Sequence, residues 1–128
     1  MPVDKEMFER GLKNRREVLG ADYVDNALAS ADSFNQPLQE LVTTYCWGEI
    51  WSRPLLDRRT RSLLNLAMIT ALNRPHELKL HIKGALTNGV SRDEIREVLL
   101  QTAIYCGLPA AVDSFRSAKE VFAEIDKK

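Results

Sequence analysis

Residues 45–81 read YCWGEIWSRPLLDRRTRSLLNLAMITALNRPHELKLH, and the fold turns on how this stretch divides. It holds both tryptophans, both histidines and five arginines. Ser52-Arg53-Pro54 interrupts it, because proline disfavours helical geometry in the residue before it. Asp57 is a good N-cap for a new start. Pro75 and Glu77 open a third segment, since the first helical turn needs no donor from proline. The spacing therefore predicts three helices: one ending near Trp51, one from about Arg58 to Asn73, and one beginning near Pro75.

Outward from this centre the same punctuation recurs. Phe8 to Leu19 reads as a helix with Phe8, Leu12, Arg15 or Arg16, and Leu19 on one side, stopped by Gly20. Asp22 to Ser33 is a shorter one, with Tyr23, Val24, Ala27, Leu28 and Ala31 at helical spacing. Pro37 starts a third, whose stripe is Leu38, Leu41, Val42, Tyr45 and Cys46. Asn88-Gly89 closes the Pro75 helix, and Ser91-Arg92-Asp93-Glu94 is a capping box ahead of Ile95, Val98, Leu99, Thr102, Ala103 and Cys106. Gly107-Leu108-Pro109 precedes a last helix, Ala110 to Ile125. No strand pattern or linker is visible. The expectation is an all-α fold of six to seven helices in a single domain spanning residues 1–128.

The chain has 128 residues, 45% hydrophobic and 28% charged, with 18 basic residues against 18 acidic ones. This is a globular balance, and it offers no electrostatic footprint for nucleic acid or an anionic membrane. No apolar run approaches the roughly 18 residues of a membrane span. The charged N-terminus does not read as a secretory signal, so a cytoplasmic location is expected. Cys46 and Cys106 stand sixty positions apart and read as two reduced core thiols, not as metal ligands. Leu63, Leu64, Leu66, Ala67, Met68, Ile69, Ala71 and Leu72 cover most of the Arg58–Asn73 helix. A helix buried on every side implies a homo-oligomer for so small a chain.

Polar groups that intrude on this apolar surround are the candidates for chemistry. Arg58, Arg61, Ser62 and Asn65 fall at i, i+3, i+4 and i+7, one stripe on one helical face. Two arginines there suit a dianionic small molecule, although a solvated first turn has the same spacing. His81 sits at the edge of the stripe Leu78, Ile82, Ala85 and Leu86, with Glu77 one turn earlier to orient it and raise its pKa. His76 reads as an exposed loop residue. Glu49 lies between Trp47 and Trp51, where desolvation by indole rings would favour its neutral form and make it an acid. The tryptophans themselves fit either a core pair or a substrate wall. No phosphate loop, nucleophile elbow, metal cluster or dinucleotide fingerprint is present.

YCWGEIWSRPLLDRRTRSLLNLAMITAL, followed by LKLHIKGALTNGVSRDEIREVLLQTAIYCGLPAA, resembles the carboxymuconolactone decarboxylase family over about residues 6–125. The Trp-Gly-Glu-Ile-Trp and Arg-Thr-Arg-Ser segments, the Leu-x-x-His helix and the Tyr105-x-Gly107-x-Pro109 turn carry the likeness. The resemblance implies an alkylhydroperoxidase-D-like helical fold and a trimer or hexamer. It also implies cofactor-free conversion of 4-carboxymuconolactone to 3-oxoadipate enol-lactone and carbon dioxide in protocatechuate breakdown, within the β-ketoadipate pathway. Peroxide-linked disulfide reductases of the wider superfamily carry CxxC and a following His. With that His at 81, the cysteine positions are Arg74 and Glu77, and an upstream glutamate falls at Ser62, so the thiol machinery is missing here.

The implied substrate carries two carboxylates and its own electron sink, the conjugated lactone carbonyl. On this expectation Arg58 or Arg61 holds the retained carboxylate, and His81 or Glu49 delivers the proton, or His81 is instead the donor to the oxyanion, with Ser62 and Asn65 beside them and Trp47 or Trp51 as an apolar wall. No metal or organic cofactor is expected. A peroxidase partner and a non-catalytic helical scaffold are the two rival readings.

Overall fold

The computed structural model describes residues 4–127. Among them are seven α-helices and one π-helical segment, with no strand, so the all-α expectation holds. The helices are α1 (Lys5–Leu19), α2 (Ala21–Ala29), α3 (Gln36–Leu41), α4 (Arg58–Leu72), α5 (Pro75–Thr87), α6 (Arg92–Tyr105) and α7 (Leu108–Asp126). Val42–Ile50 is π-helical and continues directly from α3. The chain forms two compact units, one ending at Asp57 and the other beginning at Arg58.

In the first unit, Asp4 caps α1 through its carboxylate on the Met7 N–H, and Gly20 ends it at φ 95°. The left-handed backbone at Gly20 is the stop anticipated from the sequence. The buried face of α1 differs from the expected one. It is Gly11, Asn14, Arg15 and Val18, while Phe8, Leu12 and Leu19 are only half-buried. The reason lies in what α1 packs against. A Cβ on Gly11 would fall on the carbonyl oxygen of Thr43, and one on Gly48 on that of Met7, so the two backbones touch at these glycines. Such close approach leaves no room for a leucine face.

The polar residues of that face complete the π segment. Within it hydrogen bonds span five residues, as between the Trp51 N–H and the Cys46 carbonyl at 3.0 Å. The segment ends at Ile50, which orphans its last carbonyls. Asn14 Nδ2 donates to the Trp47 carbonyl at 2.9 Å, and Arg10 Nε to the Gly48 carbonyl at 3.1 Å. Arg15 donates to Gln39 Oε1 and Thr43 Oγ1 at 3.0 and 3.1 Å. The helix predicted over residues 22–33 is shorter, ending at Ala29, and buries only Val24.

The second unit is a four-helix assembly around Leu66, Leu78, Ile82, Ala85, Val90, Ile95, Leu99, Ala118 and Val121. Pro75 occupies the first turn of α5, and Ser91 with Glu94 forms the reciprocal capping box on α6. Gly89 and Gly107 take φ of 91° and 102° where the chain turns between helices. The last helix begins at Leu108, so the turn ahead of it is tighter than anticipated. Where α4 meets α7 the contact is polar: Ser114 Oγ donates to Thr70 Oγ1 at 2.9 Å, and both residues are buried.

The expectation that α4 is buried on every side does not hold within one chain. Ser62, Leu66 and Thr70 point into the core, but Leu64, Met68 and Leu72 are 46%, 52% and 64% exposed. Three α-helices surrounding α4 are too few to cover a helix that is apolar almost all round. Leu100, Ile104, Tyr105, Leu108 and Val112 are exposed on α6 and α7 as well. An apolar groove of about 400 Å³ runs between α4 and α6, lined by residues that include Leu63, Leu64, Ala67, Val98, Tyr105 and Cys106.

Candidate functional site

The second unit brings together the polar stripe of α4 and the histidine of α5. Helix α4 presents Arg58, Arg61, Ser62 and Asn65, and α5 presents His81, with Asn88 at its C-cap. Asn65 Nδ2 lies 3.4 Å from His81 Nδ1. Asn88 Nδ2 donates to Ser62 Oγ at 2.9 Å and to the Arg58 carbonyl at 3.4 Å. Residue 62 meets 88 and residue 65 meets 81, so the two helices run antiparallel with two polar rungs between them. The stripe is therefore no solvated first turn. Ser62 is fully buried, with its hydroxyl held by Asn88. Arg58, Arg61 and Asn65 are half-buried, and the Arg61 Nε is shielded from solvent. Arg59, between the two stripe arginines, turns instead to α6 and pairs with Glu94.

His81 is half-buried, as its place at the edge of the apolar stripe implied. Its pKa moves the other way from the expected rise. Burial pushes the imidazole below its ordinary 6.5, and the opposing pull of Glu77 is the smaller effect. Glu77 is exposed, so solvent weakens its hold on the ring, while desolvation acts undiluted. The resting ring is neutral near pH 7. His76 is exposed as expected, but it lies in the first turn of α5 and not in a loop.

Trp47, Glu49 and Trp51 belong to the first unit. The two indoles stack with centroids 4.4 Å apart and planes 23° from parallel, and they pack with Val18 in the core. Their exposures of 2% and 7% make them core residues of this unit. Glu49 departs from the expectation of a carboxyl desolvated between indoles. Its side chain is 44% exposed and its carboxylate is 3.9 Å from Arg53, because the stacked rings close on each other and leave residue 49 to the rim.

The cysteines are a further correction. Neither Cys46 nor Cys106 is a core residue, and both are unpaired in disulfide terms. Cys46 is exposed as a residue, yet its sulfur is tucked in. Burial pushes that thiol's pKa up, against Arg15 and a hydrogen bond with the Trp51 side chain, which both lower it. A raised pKa disfavours the nucleophilic thiolate. Among the described residues no group of three or more His, Cys, Asp or Glu side chains is placed to hold a metal ion.

Asn88 went unrecognised in the sequence, where Asn88-Gly89 reads as a helix stop. The signal was available only as a polar residue facing Ser62 across two helices, which spacing along one helix cannot reveal.

The carboxymuconolactone decarboxylase family profile matches residues 36–120. This chain belongs to that family. It is 41% identical over 122 residues to 4-carboxymuconolactone decarboxylase of Acinetobacter baylyi, covering 95% of this chain and 91% of the relative. It is 47% identical over 112 residues to nitrosuccinic acid decarboxylase of Metarhizium robertsii, covering 88% and 78%. An uncharacterised 15.0 kDa protein of Paracoccus denitrificans is 35% identical over 134 residues, with 97% and 96% covered. The family match contains α3 through most of α7, and so the whole α4–α5 polar seam of this carboxymuconolactone decarboxylase family member.

Proposed function

We propose that this chain is a cofactor-free decarboxylase of a small dicarboxylate, and that 4-carboxymuconolactone is its substrate and 3-oxoadipate enol-lactone its product, in protocatechuate breakdown. The observation that carries this is the half-buried His81 against Asn65, on the α4 face that also bears Arg58 and Arg61. A neutral imidazole beside guanidinium groups suits an anionic substrate that gains negative charge at one oxygen as carbon dioxide leaves. Arg58 or Arg61 holds the carboxylate that stays, through a bidentate fork. His81 works at the reacting centre, and Glu49 is held in reserve as an acid of the first unit. The wall expected at Trp47 or Trp51 is weakened as a ligand surface by their burial.

Nitrosuccinic acid is the second substrate to test, because the relative named for it is 47% identical. Its nitro group is an electron sink, as the conjugated lactone carbonyl is, and it too keeps one carboxylate. Peroxide-linked thiol chemistry is disfavoured by Arg74 and Glu77 at the two cysteine positions. Ultraviolet loss of freshly made 4-carboxymuconolactone, alongside carbon dioxide release from nitrosuccinate, tests the proposal. Turnover of one of them after exhaustive chelation is expected, and turnover of neither refutes the reading.

The enzyme acts as a homo-oligomer, a trimer or hexamer, in the cytoplasm. The assembly is supported by the exposed apolar residues of α4, α6 and α7. Among the described residues no helix is long and apolar enough to cross a membrane.

A further inference from the structure

We propose that Asn65 is a positioning residue that fixes His81 as its Nε2–H tautomer, so that the ring meets the substrate as a neutral hydrogen-bond donor and not as an acid. The inference rests on the reading of His81 as the residue at the reacting centre.

The geometry is the starting point. Asn65 Nδ2 stands 3.4 Å from His81 Nδ1. With its amide nitrogen facing the ring, Asn65 donates and Nδ1 offers its lone pair. A neutral imidazole has one N–H, which is then on Nε2. The contact is held in place from one side by the Ser62–Asn88 rung, three residues away on α4 and seven on α5. That rung fixes the register of the two helices, and with it the distance between residues 65 and 81.

The charges around the ring agree with a neutral state. Helix α4 offers the ring the uncharged Asn65, on the face that also bears the Arg58 and Arg61 guanidinium groups, whose positive charge disfavours a further cation there. On α5 itself Glu77 is the charged group acting on His81, and burial outweighs it. On α7 the acidic groups that reach α5 are Glu120 and Glu124, and these are paired to Lys79 and Lys83.

The chemistry follows. The bond to the departing carboxylate breaks, its electron pair enters the sink, and carbon dioxide leaves. The sink's oxygen, on a lactone carbonyl or a nitro group, becomes anionic and accepts the hydrogen bond from Nε2–H. The histidine keeps its proton, since a neutral imidazole is too weak an acid to release it. The proton that completes the carbon comes from water, and the hydroxide left behind takes up carbon dioxide as bicarbonate. This assigns the site to substrates whose sink ends in a hydrogen-bond-accepting oxygen.

Long-range proton–nitrogen spectra of ¹⁵N-histidine-labelled protein at pH 7.5 provide the test, with His76→Gln to assign the ring. The expected spectrum has a protonated Nε2 and an unprotonated Nδ1 for His81. In Asn65→Asp the carboxylate can only accept, so the proton should move to Nδ1. The kcat should then fall by about tenfold or more with KM within about threefold, the signature of a donor lost at the transition state. An Nδ1–H tautomer or an imidazolium in the wild type overturns the proposal, and that result needs no variant. A moved proton with wild-type kcat also overturns it. If the wild type decarboxylates neither 4-carboxymuconolactone nor nitrosuccinate, the functional reading fails instead, while the spectrum still decides the tautomer.

Discussion

Ser62 Oγ accepts a hydrogen bond from Asn88 Nδ2 at 2.9 Å, and Ser62 is fully buried. Removing the amide strands a hydroxyl that water cannot reach. Asn88→Ala is expected to cost about 1–3 kcal/mol, the usual range for a buried polar group left unpaired. The Ser62→Ala, Asn88→Ala double variant should lose less than the sum of the two singles. Urea denaturation of the four proteins measures this, and strict additivity would show that the rung is energetically idle.

The contact of α1 with the π segment makes a second forecast. Gly11→Ala or Gly48→Ala drives a methyl group onto a backbone carbonyl, of Thr43 or Met7. Overpacking typically costs about 1–3 kcal/mol, and a backbone clash has no rotamer to relieve it, so the upper end or worse is expected. Gly20→Ala meets no atom, but it must adopt φ 95° and loses about 1 kcal/mol or more from backbone strain alone. Thermal melts should rank Gly11 and Gly48 well below Gly20.

The depressed pKa of His81 sets a pH dependence. The unfolded histidine takes up its proton near 6.5, before the folded one does. Unfolding is therefore favoured by protons between 6.5 and the lower folded value. The contribution to stability is full above 6.5, falls as the pH drops through that window and is level below it. His81→Asn should flatten this part of the stability profile. In the active enzyme kcat/KM should fall on the acid side, with its inflection below 6.5, and a limb centred above 6.5 would contradict the burial effect.

Arg58→Ala or Arg61→Ala is expected to raise KM more than it lowers kcat, if the guanidinium holds the retained carboxylate equally in ground and transition states. Steady-state kinetics separate the two parameters. A loss confined to kcat would place that arginine at the developing oxyanion instead.

Met68 lies between Leu64 and Leu72 on the exposed face of α4. If subunits bury that face, Met68→Glu puts an unpaired carboxylate in the interface and should dissociate the assembly. Light scattering at micromolar concentration reads the result. A stable wild-type monomer would remove the basis for an oligomer, and an unaltered mass for the variant would place the interface elsewhere.

Much of the second unit was legible in advance. Pro75, Ser91, Glu94, Gly89 and Gly107 act through local backbone chemistry, and each stands where that chemistry requires. The stripe of Arg58, Ser62 and Asn65 was visible because helical spacing alone places those residues on one face. What that face meets was not visible, since Asn88 and His81 reach it from another helix. In the first unit the buried side of α1 was misjudged because apolar periodicity ranked Phe8 and Leu12 above Gly11 and Asn14. Packing chose the small and the hydrogen-bonding residues, since two touching backbones need exactly those, and no pattern within α1 announces its partner. Glu49 escapes the sequence pattern for a related reason: its neighbours along the chain, Trp47 and Trp51, stack on each other and not on its carboxylate.

The donors that Asn14 and Arg10 supply to the carbonyls of Trp47 and Gly48 belong to a different helix. Residues 36–51 thus carry no complete instruction for their own winding. Excised as a peptide, the segment would have only itself and water to satisfy those carbonyls, and four-residue hydrogen bonding would be its better choice. The wider turn is then a conformation favoured from outside, by its contacts with α1. Amide exchange in the π segment should accordingly open together with α1, as one cooperative block, and any truncation that removes Arg10 and Asn14 should rewind the segment to four-residue hydrogen bonding.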